Sequence, residues 1–326
     1  MRFVLALLCL VHSLSCLASG PGPDGTPMFR RIGTADGLPS THINALSLDR
    51  EGYLWIATRD GLARYDGVGY DVFRHVPGNA ASLPGNFVQS LYVDAGNRVW
   101  VGVEGHGLSV LDAARRGFRS FDRRNMPDLR SDDVWAITGT PDGALWLGTY
   151  AGGLYELPAP DAPRPRLRRF DAGADGLPSP DVFALAVDRA GTLWIGTGQG
   201  LVRRSGNGFE RVGVDVLSDP NIYSLTADSD GSLWIGTMSG LDHRLADGRI
   251  EQPAWRVNLP NPVVTSALRD SEGSRWVASG LLLVSVAGTV AWRAWQARRG
   301  NAQVVAQLVT APTGPARSTS TSSRSL

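Results

Sequence analysis

Asp188-Arg-Ala-Gly-Thr-Leu-Trp-Ile-Gly-Thr-Gly-Gln-Gly-Leu201 is the stretch that decides the fold, because it recurs as Asp228-Ser-Asp-Gly-Ser-Leu-Trp-Ile-Gly-Thr-Met-Ser-Gly-Leu241. Looser copies occur four more times. Read with period 2, residues 192–197 predict a short strand with both faces suited to burial. The Asp-x-x-Gly before the strand and the Gly before Leu201 are typical of tight turns. Each copy is therefore expected to fold as strand, turn, strand, turn, strand.

The tryptophans of these copies are spaced by 45, 46, 48, 40 and 42 residues. A repeat of this period with several short strands per copy is the signature of propeller blades, whose sheets bury their faces against one another. The repeated large side chain is best interpreted as core between blades. The tryptophans concerned are Trp55, Trp100, Trp146, Trp194, Trp234 and Trp276.

Seven copies follow one another along the chain. They lie near 37–75, 82–121, 125–170, 176–212, 216–255, 258–295 and, in degenerate form, 300–317. Residues 28–32 have the pattern of an outer strand with no inner strands before it, and could complete the last blade. We therefore predict an all-β, seven-bladed β-propeller over residues 19–317, followed by a disordered tail, 318–326. Residues 277–292 have a second interpretation as a short membrane span.

The N-terminal segment predicts export. Residues 1–18 combine a positive start, an apolar run and a small-x-small cleavage pattern, as in a secretory signal peptide. A buried N-terminal strand or helix and a lipoprotein attached through Cys16 are the alternatives. Both cysteines, Cys9 and Cys16, fall within this segment, so the mature chain is expected to contain no disulfide and no thiolate metal site. The expected location is the periplasm.

Composition narrows the function classes. With 326 residues the chain has room for one propeller, and with a formal charge of +1 it lacks the basic excess of a nucleic-acid-binding protein. The few histidines show no metal-ligand spacing, and no Gly-x-Ser-x-Gly nucleophile turn occurs. We therefore expect neither catalysis nor a metal or cofactor. A propeller hydrolase or lyase and a protein-binding scaffold in the envelope remain the alternatives.

The repeat Asp-x-x-Gly-x-Leu-Trp-Ile-Gly-Thr-x-x-Gly-Leu, preceded by Gly-Leu-Pro-Ser, resembles the two-component regulator propeller repeat. The resemblance covers residues 28–282 well and 283–314 loosely. It implies the periplasmic sensor region of a hybrid histidine kinase or diguanylate cyclase, which signals through a membrane-bound output domain. No phosphoacceptor histidine motif, cyclase motif or ATP-binding glycine loop occurs, so a truncated or output-less form is expected.

Two sets of loops are expected to share one face of the propeller, namely those leading into the inner strands and those following the tryptophan strands. Their residues differ between copies while the turns stay constant. Such polar side chains suit a hydroxyl-rich small ligand such as an oligosaccharide, because planar amides and carboxylates make paired hydrogen bonds. The candidate ligand-binding residues are His42, Arg59, Asp60, Asn86, Glu104, His106, Asp132, Tyr150, Asp181, Gln199 and Asn221, with Met238 as a weaker candidate.

Overall fold

The computed structural model describes residues 33–162, 165–206, 208–254, 262–269 and 275–279. In this part of the chain, the consecutive strands within each sheet pair antiparallel, as alternating turns and short strands require. The result is a β-propeller, which confirms the predicted architecture. Its described blades are five four-stranded sheets.

Blade 1 contains β1 (Ile43–Leu48), β2 (Leu54–Thr58), β3 (Gly61–Tyr65) and β4 (Tyr70–Phe73). Blade 2 contains β5 (Val88–Val93), β6 (Val99–Val103), β7 (Gly107–Leu111) and β8 (Phe118–Phe121). Blade 3 contains β9 (Val134–Gly139), β10 (Leu145–Thr149), β11 (Gly153–Leu157) and β12 (Arg168–Phe170). Blade 4 contains β13 (Val182–Val187), β14 (Leu193–Thr197), β15 (Gly200–Ser205) and β16 (Gly208–Val212). Blade 5 contains β17 (Ile222–Ala227), β18 (Leu233–Thr237), β19 (Gly240–Arg244) and β20 (Ile250–Glu251).

The prediction of seven blades is wrong. Beyond the five blades the described residues form one two-stranded sheet, β21 (Val264–Arg269) with β22 (Arg275–Ser279). The inner strands β1, β5, β9, β13, β17 and β21 contact one another in this order, and β21 also contacts β1. The sixth position therefore adjoins the first, which leaves no gap for a seventh inner strand between β21 and β1.

Several predicted segments lie outside the described residues. They are the signal peptide 1–18, the strand at 28–32, the degenerate copy 300–317 and the tail 318–326. Of the alternative membrane span 277–292, the first three residues belong to β22 and the others are not described. Among the described residues, no helix has the length and apolar character needed to cross a bilayer.

Five of the six repeat tryptophans lie in the core of the propeller, as predicted, and the side chain of the sixth, Trp276, lies outside the described part of the chain. Trp55, Trp100 and Trp146 are fully buried, and Trp194 and Trp234 are nearly so. Every residue of β14 is buried or nearly buried, so both faces of this strand are packed between neighbouring sheets. Burial of such large rings on both sides is the main source of stability in this architecture.

A hydrogen bond joins the repeated turn to its tryptophan in four blades. The indole Nε1 of Trp100 donates to Asp94 Oδ2 at 2.8 Å, and equivalent bonds join Trp55 to Asp49, Trp194 to Asp188 and Trp234 to Asp228. The other oxygen of Asp94 accepts the backbone N–H groups of the turn. One carboxylate therefore fixes both the turn and the orientation of the indole.

Blade 3 lacks this bond. Thr140 occupies the aspartate position, and its hydroxyl donates to Asp142 Oδ1 at 2.6 Å. Within the described part of the chain, Nε1 of the fully buried Trp146 has no hydrogen-bond partner. A buried donor without a partner keeps its desolvation cost.

Replacing Thr140 with aspartate is therefore expected to raise the free energy of unfolding by about 1.5–3 kcal/mol, the worth of one hydrogen bond to a charged group. In blade 5, Asp228 and Asp230 occupy the positions equivalent to Thr140 and Asp142. An aspartate at position 140 is therefore compatible with the neighbouring Asp142. Urea unfolding measures the gain, and Thr140→Asn, which supplies an uncharged oxygen, should give a smaller one. Equal stability of T140D and the parent would contradict this account.

Candidate functional site

The loops leading into the inner strands and the loops after the tryptophan strands meet on one side of the propeller, which we call the upper face. Backbone hydrogen bonds join them: Arg59 N donates to His42 O at 3.3 Å, and Met238 N donates to Asn221 O at 3.2 Å. They form because the start of each inner strand pairs with the end of the tryptophan strand, as Ile43 does with Thr58. The structure therefore brings the candidate residues to one face, and their role in binding stays a prediction.

Several of the candidate side chains hold the loops in place. Asp60 forms an ion pair with Arg74 at 3.0 Å, and Asp132 forms one with Arg123 at 2.7 Å. Asn86 Oδ1 accepts the backbone N–H of His75 at 2.7 Å. These three side chains therefore stabilise the loops of the upper face.

Two further candidate residues form hydrogen bonds to other residues of the upper face. Asp181 Oδ1 accepts the backbone N–H of Ala151, in the neighbouring blade, at 2.9 Å. Asn221 donates through Nδ2 to Asp219 Oδ1 at 3.0 Å. Because these side chains are already hydrogen-bonded to loop residues, their contribution to ligand binding would be secondary.

Charged and titratable side chains of blades 1–3 form a cluster on the upper face. The rim cluster consists of His42, Arg59, Glu104, His106 and Asp133. The guanidinium carbon of Arg59 lies 5.1 Å from the centre of the Phe87 ring, a cation–π distance. His106 Nδ1 lies 2.7 Å from the carbonyl oxygen of Glu104.

Electrostatic coupling within the rim cluster shows in the pKa values. Partial burial and the nearby Arg59 lower the pKa of His42. Partial burial and the negative Asp133 raise the pKa of Glu104, although Arg59 and His106 oppose that rise. Burial also lowers the pKa of Arg59, against the attraction of Glu104. Protonation at one of these positions therefore influences the others.

Stability is expected to fall on acidification through His42. Because its pKa in the folded protein is below the ordinary 6.5, the unfolded chain takes up the proton first as the pH falls through 6.5. His42→Gln should therefore lose less free energy of unfolding than the parent between pH 7.5 and 5.5. Glu104→Gln tests the opposite sign, since a raised pKa makes stability fall as the pH rises above about 4.5. Parallel curves for H42Q and the parent in urea titrations would contradict the prediction.

Each inner strand carries a β-bulge at its upper end. In blade 4, Val182 pairs with Thr197 and Ala184 with Gly196, so Phe183 is the extra residue. A bulge bends the strand and redirects a side chain, commonly beside a binding site. The bulge residues are Asn44, Gln89, Trp135, Phe183, Tyr223 and Thr265.

Three neighbouring bulge residues and one loop residue form a row of aromatic rings, which we call the aromatic row. The ring of Trp135 lies 5.2 Å from that of Phe183, which stacks on Tyr223 at 5.3 Å. Tyr150, a predicted site residue, stacks on Trp135 at 6.0 Å. Trp135, Tyr150 and Tyr223 are half-buried, whereas Phe183 is buried. The row spans the upper ends of blades 3, 4 and 5.

Apart from Tyr150, the residues of the aromatic row are not among those predicted from the sequence. A signal was present: in every copy a β-branched residue is followed by a position that differs between copies, as in Val134-Trp135, Val182-Phe183 and Ile222-Tyr223. The period-2 pattern of a strand assigns that position to an ordinary strand face.

Among the described residues, no group of three His, Cys, Asp or Glu side chains is placed to hold a metal ion.

Comparison with known proteins gives matches to the repeat and to the fold. The sequence profile described as "Two component regulator propeller" matches residues 37–60, 82–105, 128–151, 176–199 and 216–239. Each match begins in a loop of the upper face and runs through the tryptophan strand. Histidine kinase P4 of Formosa agariphila is 32% identical over 56 residues, which is 17% of this chain and 4% of that protein.

Solved propellers share the fold at low identity. The extracellular domain of the putative hybrid two component system BT3049 from B. thetaiotaomicron is 23% identical, with a TM-score of 0.57 over 77% of this chain and 40% of its own. That of BT4673 is 18% identical, with a TM-score of 0.62 over 77% and 36%.

Virginiamycin B lyase from Staphylococcus aureus is 14% identical, with a TM-score of 0.56 over 79% of this chain and 85% of its own. This chain thus spans two fifths or less of the sensor-system chains that it resembles. The matched repeats and the observed blades agree, and the chain carries five two-component regulator propeller repeats.

Proposed function

We propose that this chain is the ligand-binding sensor part of a signalling receptor and that it binds a polar ligand, such as an oligosaccharide, on the upper face. The observation that carries the proposal is the aromatic row beside the rim cluster. Sugars present C–H groups on their ring faces and hydroxyl groups on their edges. Aromatic faces suit the former, and the imidazole, guanidinium and carboxylate groups of the rim cluster suit the latter.

Location outside the cytoplasm, in the periplasm, belongs to the same proposal. The apolar segment 1–18 is its sequence support, and the two sensor-system neighbours are both described as extracellular domains. A membrane-bound output domain is the proposed partner, because the repeat family is named for two-component regulation. Sequencing the region that follows the codon for Leu326 tests this: a frame encoding a membrane helix and a kinase or cyclase supports the receptor, and unrelated sequence contradicts it.

Binding is tested with a panel of neutral and acidic oligosaccharides, by thermal shift and then by calorimetry. A ligand that binds only the folded state raises its unfolding temperature, and above Kd the rise grows with the logarithm of the ligand concentration. A protein-docking scaffold would show no such shift. A panel without a single hit would reject the oligosaccharide assignment.

Trp135→Ala is expected to weaken binding of a panel hit about tenfold, because it removes one stacking face of the row. Tyr70→Ala is the matched control. Tyr70 stacks on Tyr65 at 4.8 Å, where β3 ends and β4 begins, at the side of the blade opposite the upper face. Unchanged affinity in W135A, or equal loss in both variants, would reject the aromatic row as the binding surface.

A further inference from the structure

Blade 4 contains a cavity of about 150 Å³ on the outer part of the upper face. It lies between the start of β15, the end of β16 and the connection that leads into blade 5. The residues that decide its chemistry are Gln199, Leu201, Arg211, Val212, Val214 and Leu217. It is separate from the aromatic row, which follows the inner strands.

The cavity has a cause in the sequence. The residue that pairs with the first leucine of the third strand is phenylalanine in three blades, where Phe73, Phe121 and Phe170 pair with Leu62, Leu108 and Leu154. In blade 4, Leu201 pairs with the smaller Val212. The phenylalanine rings fill space beside the core tryptophans, since Phe170 stacks on Trp146 at 5.5 Å. In blade 4 the smaller Val212 stands at this place and lines the cavity.

The backbone of blade 4 enlarges the opening. In blades 1, 2 and 3 the outer strand lies close over the glycine that begins the third strand. A Cβ added at Gly107 would approach Phe121 O to 2.2 Å, and one added at Gly153 would approach Phe170 O to 2.5 Å. At Gly200 the nearest atom is Arg211 Nη2, at 3.7 Å. The outer strand of blade 4 has therefore moved away from the glycine.

The lining combines an apolar wall with one cation. Leu201 is 1% exposed, and Val214, at 60%, lies at the solvent side. Arg211 Nη2 donates to the carbonyl oxygen of Gln199 at 2.9 Å. Gln199 takes the position that Asp60 holds in blade 1, where the aspartate pairs with an arginine of the outer strand's end. Within the described part of the chain Arg211 forms no ion pair, so its charge is available to an anion.

We propose that this cavity binds a small carboxylic acid with an apolar body, of the size of benzoate. A cavity of roughly 150 Å³ with apolar walls accommodates one benzene-sized ring. The ring would lie against Leu201, Val212 and Leu217. The carboxylate would meet the guanidinium of Arg211, whose planar fork matches its two oxygens.

The test uses the full chain with benzoate, benzyl alcohol and benzylamine as probes. Binding of each probe is measured by saturation-transfer NMR and by competition titration. Benzoate is expected to bind most tightly and benzylamine least. Arg211→Gln should weaken benzoate about tenfold and leave benzyl alcohol unchanged. Arg203→Gln is the matched control, because Arg203 lies on the same blade and pairs with Glu210 at 2.9 Å.

Val212→Phe restores the residue of the other blades and should abolish binding of all three probes. Its unfolding temperature, expected to equal or exceed that of the parent, shows that the variant folds. Absence of benzoate binding, or benzoate binding that persists unchanged in R211Q or V212F, would overturn the proposal. Benzoate binding should be retained in W135A, so this proposal and the oligosaccharide proposal can fail separately.

Discussion

Replacing Asp94 with alanine is expected to lower the free energy of unfolding by about 3–5 kcal/mol, since a buried acceptor of several donors is lost. The residue is 9% exposed. Its Oδ1 accepts the N–H groups of Gly96 and Arg98 at 2.8 and 2.9 Å. Its Oδ2 accepts Trp100 Nε1 at 2.8 Å and Arg98 Nε at 2.6 Å. With alanine at this position, the N–H groups of the turn and the fully buried indole both lose their hydrogen-bond acceptor.

Two comparisons separate this effect from a general loss at turns. Asp94→Asn keeps one oxygen and should lose less stability than the alanine variant. Thr140→Ala makes the corresponding change in blade 3, where the indole already lacks a partner, so it should cost under about 1 kcal/mol. Urea unfolding provides all three values. Equal losses in D94A and T140A would show that the carboxylate–indole bond contributes little.

The repeat predicts the blades because its residues act locally. An aspartate that accepts N–H groups two and four residues on, as Asp188 does from Ala190 and Thr192, makes its turn wherever the pattern occurs. The number of blades, in contrast, is not determined by residues within one repeat. It depends on which inner strand meets β1, and the structure places β21 there. Counting eroded copies could not reveal that contact.

The position of the candidate residues was predicted to the level of a face, whereas the aromatic row on that face was not predicted. Loop positions follow from strand order, so His42, Arg59, Glu104 and Tyr150 were expected on the face where the structure places them, and their role in binding stays a prediction. The sequence does not show which polar side chains the loops themselves use, as Asp132 is used by Arg123. Nor does it show a bulge, because the extra residue is defined by its partner strand.

Gly102→Ala is expected to cost about 2–4 kcal/mol, the upper range for an overpacked position, because its new Cβ meets another blade. The Cβ would lie 2.1 Å from Val134 O and 2.3 Å from Ser90 Oγ. Ser90 Oγ now donates to Val134 O at 2.8 Å, a buried bond between blades 2 and 3. Alanine would break this bond and push the blades apart. Gly69→Ala is the matched control, because a Cβ at Gly69 meets nothing within 4 Å.

Blade 1 shows how alanine is accommodated at this position. Ala57 stands there opposite Ala45, which has no hydroxyl group, whereas Gly102 stands opposite Ser90. The double variant Ser90→Ala with Gly102→Ala should therefore recover part of the stability that G102A loses, as urea unfolding of the three variants would show. A double variant less stable than G102A would mean that contact with the Val134 carbonyl accounts for the loss.

The same substitution connects the core to the upper face. Val134 begins β9 and directly precedes the bulge residue Trp135, so displacing it also displaces the first ring of the aromatic row. G102A is therefore expected to weaken a panel ligand under conditions where the variant is still fully folded, while G69A binds like the parent. Full affinity in folded G102A would show that the bulge keeps its geometry independently of blade spacing. Loss of affinity would mean that Gly102 sets the position of the proposed binding surface as well as the packing of blades 2 and 3.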